Sequence, residues 1–383
     1  MTRTGIGARW TSELTTYQDS KSGATIHQLT SYKGHSNHFY FTYPCWYDDG
    51  RKIVFTSDRE NRTNLFGVDL AGGEITQLTD YAAGQRLGSL SKNPVREEIY
   101  FNLGATLMAL DLATLETRPL ATCPEGYVGG GANATADGKY LVTGYRVDLS
   151  DQILTDLGHG YIGFRETWEA HPHTKIVKIP VDGGDLEVIF EEDYWLGHFN
   201  ASPKLPNIMT FCHEGPWNLV ENRIWGLDIN TGEPWQIRPN APGESIGHEY
   251  WMQDGEHIGY HGQTAAGPVY GSIRYDNTDQ VEAPFEGHCW HFHSYMLDLV
   301  VGDGDAKDPY VLLWRFKDGA FQGPKVLAWH RGSFHIQRVH VHPCFNQEGT
   351  QIVYTADPQG YGQVFVVDVP AFETLPDLAD AKG

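Results

Sequence analysis

One short unit recurs along this chain: a strand, an Asp-Gly turn, a second strand, a loop, a third strand, a Gly turn and a fourth strand. Its clearest copy runs from Asp49-Gly50 through Lys52-Ile-Val-Phe-Thr56 and Phe66-Gly-Val-Asp-Leu70 to Glu74-Ile-Thr-Gln-Leu-Thr-Asp-Tyr81. The turn returns at Asp137-Gly138, Asp254-Gly255 and Glu348-Gly349, each before a short apolar run, and less regular copies start near Asn93-Pro94, Ser202-Pro203 and Met296-Leu297. Seven starts roughly 40–65 residues apart, with four short strands each, predict an all-β chain folded as one seven-bladed β-propeller over the whole length. The last copy, about residues 340–369, ends at Gln363-Val-Phe-Val-Val-Asp368 without a fourth strand of its own. Thr25-Ile-His-Gln-Leu-Thr30 matches the missing element. An N-terminal strand at about residues 24–31 is therefore expected to complete that blade and remove an exposed sheet edge.

Charge narrows the partners. Lys+Arg 28 against Asp+Glu 49 gives a formal charge of −21, which disfavours nucleic acid and anionic membrane surfaces. An acidic oligosaccharide stays compatible if a few cations concentrate in one pocket. The five cysteines are scattered, odd in number and without a CxxC pair, which fits a reducing compartment. The N-terminus has no apolar signal-peptide core, and no run of about 18 apolar residues exists to span a membrane. A soluble cytoplasmic protein is expected. Its oligomeric state is not encoded in any recognisable motif.

In a propeller, the stretch before each innermost strand and the loop between strands two and three open onto one end of the central channel. Those stretches contain His35-Ser-Asn37-His38, Gly126–Gly131, Trp195-Leu-Gly-His198, Gly247-His248-Glu249, His288-Cys-Trp-His291-Phe-His293 and Gln337–His342. Histidine thus concentrates at one topological position of successive blades. On a strand, His340 and His342 would project from one face, and Gln337 can bring an amide oxygen to the same point. Adjacent blades would add His291. A His₃Gln set suits a borderline divalent ion such as Mn²⁺, Fe²⁺ or Zn²⁺ and leaves room for substrate, as a catalytic metal requires.

His248 occupies the matching place in blade five. Arg223, after the loop Cys212-His-Glu-Gly-Pro-Trp217, is expected at the same mouth, where an arginine suggests recognition of a carboxylate. Together these point to proton abstraction beside a carboxylate, followed by β-elimination of a glycosidic oxygen. His35, Asn37, His198, His213 and Trp217 are the candidates for substrate contact. Rival readings are the same chemistry on another uronate-containing oligosaccharide, metal-assisted hydrolysis, and a non-catalytic metal-containing propeller that binds sugar or protein. Two motifs read as decoys. Gly243-Glu-Ser245-Ile-Gly247 fits a nucleophile-elbow pattern but lacks the strand-turn-helix setting. Asp303-Gly-Asp305-Ala-Lys-Asp308 resembles a Ca²⁺ loop without its Gly and Glu, and is expected to be a solvated or pocket-rim loop.

At these residues the chain resembles the oligogalacturonate lyases of polysaccharide lyase family 22, which are seven-bladed propellers with Mn²⁺. The likeness covers most of the chain and is densest in WLGH (Trp195–His198), FCHEGPWNLVENRIW (Phe211–Trp225), GESIGHEYW (Gly243–Trp251), VGDG (Val301–Gly304) and QRVHVHP (Gln337–Pro343). The resemblance implies His248 as base, Arg223 as the active-site arginine, and His291, Gln337, His340 and His342 as metal ligands. The stretch His288–His293 is richer in histidine than the family pattern, so His288 and His293 stand as alternatives to His291.

Overall fold

The turn signals that recur in the sequence appear as hairpins of one design. At Asp137-Gly138, Asp254-Gly255 and Glu348-Gly349 the glycine takes φ 69, 67 and 68. Each of these glycines donates its N–H three residues back, to Thr135, Met252 or Asn346. Left-handed backbone costs glycine nothing, which is why Gly recurs there. Aspartate adds a second tie: Asp254 Oδ1 accepts the N–H groups of Glu256 and His257, both at 3.0 Å.

The computed structural model describes residues 4–157 and 160–382. Among them lie seven antiparallel sheets, and the chain is an all-β, seven-bladed β-propeller. It packs as two units. Met1–Arg86 with Phe285–Gly383 carries three blades, and Leu87–Pro284 carries four. The seven turn signals each fall between the first two strands of a blade, for example between Ser245–Trp251 and His257–Thr264. No helix among the described residues is long and apolar enough to cross a membrane.

In the three-blade unit, Thr25–Gln28 pairs antiparallel with Gln363–Asp368, and Thr15–Gln18 adds a fifth strand outside it. The Gln-Leu-Thr repeat explains the likeness of Thr25–Tyr32 to Glu74–Tyr81. Gln28 Nε2 donates to the Thr30 carbonyl at 2.9 Å, and Gln77 Nε2 to that of Thr79 at 2.8 Å. Thr30 Oγ1 then takes the N–H of Val364, and Thr79 Oγ1 that of Leu65, both at 2.9 Å. One device ties down the fourth strand in two blades. Apolar residues alternate inward along these strands, and side chains such as Ile26, Val301, Ile352 and Val367 are fully buried between blades of this unit.

Three first strands share a local departure that bears on function, and the residue two before a fourth shares its backbone conformation. The ladder shifts register after Gly88, Gly197 and Gly247, and the following residues, Ser89, His198 and His248, take φ 54, 51 and 50. His342, just before the short strand Cys344–Phe345, takes φ 45. A bulge of this kind re-aims a side chain that the regular pleat would fix.

Candidate metal centre and base

Two loops, not a strand, assemble the histidine cluster of the three-blade unit. Gln337–Val339 is one turn of 3-10 helix, which the chain leaves extended at His340 (φ −63, ψ 145) before the left-handed His342. The expected same-face pairing along a β-strand is thereby corrected. The physical cause is a set of bonds outside any ladder. The Asn37 amide donates to the Arg338 carbonyl, and Arg338 pairs with Asp58 at 2.7 Å. These hold the turn against a neighbouring blade of the same unit.

The result is compact. One nitrogen from each of His291, His340 and His342 lies within 4.8 Å of the others. Burial, then the nearby His291, pushes His340 down to about 4, and burial with His291 and His340 pushes His342 well below the usual range. Both rings are neutral near pH 7 and keep a lone pair, the form a metal ligand needs. The Gln337 amide reaches within 3.4 Å of His342 Nε2, and a half-turn of the amide puts its oxygen there. Three imidazole nitrogens and one amide oxygen fit a borderline divalent ion with positions to spare.

Geometry also chooses among the three upstream histidines. His288 is exposed and bonded to Asp305 at 3.1 Å. His293 is half-buried, accepts the Phe345 N–H at 3.3 Å, and is pushed down by desolvation to about 3. Only His291 joins the cluster, with its Nδ1 2.7 Å from Asp303 Oδ2. Asp303 is fully buried. Of the two expectations for Asp303–Asp308, a solvated or a pocket-rim loop, the solvated one does not hold at its first residue, because His291 and Asp303 face each other across the hairpin Phe292–Ser294/Leu299–Gly302.

The four-blade unit holds His248, Arg223, His198 and Trp217. The bulge at His248 sets its Nδ1 3.1 Å from His261 Nε2 on the next strand. Trp217 stands edge-on to His248, with ring centroids 4.8 Å apart, and lies under the Arg223 guanidinium at 5.4 Å. Arg223 is 3% exposed. Its Nη1 is 2.8 Å from Glu214 Oε1 and its Nε 3.5 Å from Glu249 Oε2. Arg223 thus meets two protein carboxylates, where the sequence alone pointed to a substrate carboxylate. Burial raises the Glu214 pKa, but Arg223 and His198 outweigh it and bring it to about 2. His198 lies 3.4 Å from Glu249 and 3.7 Å from Glu214. His198, Cys212 and Glu249 also come within 4.8 Å of one another. Arg223 already supplies the counter-charge there, and burial keeps the Cys212 thiol protonated. This cluster is the seat of the arginine.

The remaining candidates divide by role. His35 accepts the Gly362 N–H at 3.0 Å and packs edge-on to Tyr361, while Asn37 braces the Gln337 turn. His213 is stacked between Tyr194 and Trp225 at 4.1 and 4.7 Å and bonded to Glu192 at 3.1 Å, so packing claims both its faces. Ser245 lies on a strand, paired with Gln263, and no helix follows it.

Residues 5–372 match the family model described as oligogalacturonate lyase. The chain belongs to the oligogalacturonate lyase family. It is 29% identical to an oligogalacturonate lyase of Dickeya dadantii over 93% of this chain and 96% of the relative. A solved oligogalacturonate lyase in complex with manganese superposes with a TM-score of 0.87 at 27% identity, covering 97% of this chain and all of that one. An oligogalacturonate lyase from Vibrio parahaemolyticus gives 0.86 at 26% identity, over 95% and 99% of the two chains.

Within this family member, four residues around the candidates escape a reading of the sequence: Asp303, His261, Glu214 and Glu249. A signal exists for three of them. Glu249 follows the bulged His248, Glu214 follows His213 in a motif already singled out, and Asp303 stands in the VGDG motif, though its pairing with His291 does not show there. His261 becomes visible only through strand pairing.

Proposed function

We propose that this chain cleaves short oligogalacturonides by β-elimination, using a divalent ion, Mn²⁺, held by His291, His340, His342 and Gln337, with His248 as the base. The three converging imidazoles of His291, His340 and His342 carry this reading. The manganese complex of the relative with a TM-score of 0.87 supports the choice of ion. Bound there, a divalent ion supplies Lewis-acid charge that acidifies the hydrogen next to a carboxylate.

His248 is suited to take that hydrogen. If its Nδ1–H donates to His261 Nε2, 3.1 Å away, its own lone pair is on Nε2, available to the C5 proton of a uronate. The C5–H electrons become the C4–C5 double bond, the C4–O bond breaks, and the departing oxygen collects a proton. Arg223, held charged between Glu214 and Glu249, fixes Trp217 and the His248 wall. With two carboxylates already beside it, neutralising the substrate carboxylate falls mainly to the metal. Five free, buried cysteines support a cytoplasmic setting for this activity.

The test is incubation of digalacturonate with Mn²⁺-loaded protein, read by ultraviolet absorbance of the C4–C5 double bond. Saturated monomers without that absorbance would replace elimination by hydrolysis. No turnover, with metal bound, would leave a binding propeller.

A further inference from the structure

The four ligands account for the front of the metal cluster; Asp303 stands behind it. We infer that Asp303 is a positioning residue whose buried carboxylate fixes His291 in the Nδ1–H form and thereby sets how tightly the centre holds its divalent cation. This rests on the reading that His291, His340, His342 and Gln337 hold that ion.

Both oxygens of Asp303 are spent on one residue. Oδ1 accepts the main-chain N–H of His291 at 2.8 Å, and Oδ2 accepts from Nδ1 at 2.7 Å. The main chain closes the loop, since Asp303 N–H donates to the His291 carbonyl at 3.2 Å. Asp303 is itself held from behind: His330 Nε2 donates to its carbonyl at 3.1 Å, and the Gly332 N–H donates to His330 Nδ1 at 2.8 Å. A side chain at 332 would crowd that contact, its Cβ falling 2.9 Å from His330 Nδ1. A chain of bonds therefore runs from Gly332, just upstream of the Gln337 turn, through His330 and Asp303 to His291.

A neutral imidazole has one N–H and one lone pair. With its proton committed to Asp303 through Nδ1, a ligating His291 carries its lone pair on Nε2, and a carboxylate acceptor at 2.7 Å makes that nitrogen a stronger donor to a cation. A purely structural aspartate would need only the main-chain N–H. The second bond, to the ring, is the one with a consequence for metal.

Asp303→Asn separates the two roles. Its Oδ1 can still cap the His291 main chain, but its NH₂ then faces Nδ1 and favours the tautomer with the proton on Nε2, which cannot ligate. Mn²⁺ titration by calorimetry on the full chain should show affinity weaker by about 10–100-fold. The metal-free melting temperature should change little, and kcat at saturating Mn²⁺ should largely recover. Equal Mn²⁺ affinity in D303N and the parent would overturn the inference while leaving the metal reading intact. A parent protein that binds no Mn²⁺ would sink both. Should D303N not fold, the ¹⁵N shifts of His291 in the metal-free parent decide: the Nδ1–H form is expected, and the Nε2–H form refutes it.

Discussion

Replacing Gly247 by alanine tests how the base and the arginine are seated. The site sits just before the bulged His248, and its φ is not left-handed, so the backbone tolerates a side chain. Space does not. A Cβ there would fall 2.5 Å from Arg223 Cδ, 2.7 Å from its Nε and 3.0 Å from Trp217 Cζ2. Arg223 cannot swing away cheaply, because its guanidinium is buried and paired with Glu214 at 2.8 Å. If the side chain merely slides, the cost is ordinary overpacking, about 1–3 kcal/mol. If the pairing with Glu214 breaks, an uncompensated buried charge adds about 3–5 kcal/mol. We expect about 3 kcal/mol overall, the upper end of overpacking with the ion pair kept. With an unfolding entropy of about 2.1 cal/mol/K per residue over 383 residues, that lowers Tm by roughly 4 °C, and lyase activity should fall with it as Trp217 and His248 move. Gly88 is the internal control. It holds the same bulge position in another first strand, and a Cβ added there would meet nothing within 4 Å, so G88A should leave Tm unchanged or slightly higher. Thermal melts by circular dichroism and the double-bond assay check both. Equal Tm and activity in G247A and G88A would refute the packing argument.

His248→Ala should lower turnover at least about 100-fold, the usual contribution of a general base, while metal content by elemental analysis stays at the parent level; lost metal would mean the role is misassigned. His261→Asn should reduce kcat more than it raises KM and shift the pH–rate profile, since it disturbs the tautomer of His248 without touching metal; an unchanged profile would remove His261 from the mechanism. Chelation should abolish turnover and lower Tm, with Mn²⁺ at about 100 times its Kd restoring about 2.7 kcal/mol; a melt indifferent to Mn²⁺ would argue against a bound ion. Acid should destabilise the fold through buried neutral histidines. Burial lowers His330 to about 3, so between pH 6.5 and 3 the unfolded chain binds the extra proton and stability falls with pH, by about 2 kcal/mol at pH 5 from this residue alone. Urea melts across that window check the sign, and a flat profile would contradict it.

The fold was legible because propeller blades repeat their punctuation. Glycines at 138, 255 and 349 need a left-handed backbone, and the Gln-Leu-Thr tie at Gln28 and Gln77 anchors equivalent strands. A further repeat went unread. Asp69, Asp111 and Asp228 each accept main-chain N–H groups two and three residues on, in the turn before a fourth strand, and Glu74, Glu116 and Glu233 follow five residues after each. Such Asx turns are local hydrogen bonding, and would have sharpened the outer strand boundaries in three blades. The two-unit packing was not legible, since it depends on contacts far apart in the chain.

The site was legible as a list and misleading as geometry. Alternation along a strand put His340 and His342 on one face, yet no ladder holds them, and the cluster forms because His342 adopts φ 45. His198 and His248 likewise sit at φ 51 and 50, where a non-glycine residue costs roughly 1–2 kcal/mol. Three of the proposed site histidines thus occupy the conformation that their residue type resists, each at the start of a blade where the chain could have been a regular strand. Strain of that kind persists only where surrounding bonds over-determine it. Here those bonds are the Glu249 and Glu214 contacts at His198, the His261 contact at His248, and the His38 Nε2 bond to the His342 carbonyl at 2.9 Å. Relieving the strain should therefore cost the fold little and damage the site. His342→Gly, which accepts that backbone freely, should lose metal with little loss of Tm in the metal-free protein, whereas an ordinary buried histidine in a regular strand would lose stability on the same change. A large drop in the metal-free Tm would show that His342 is held for packing.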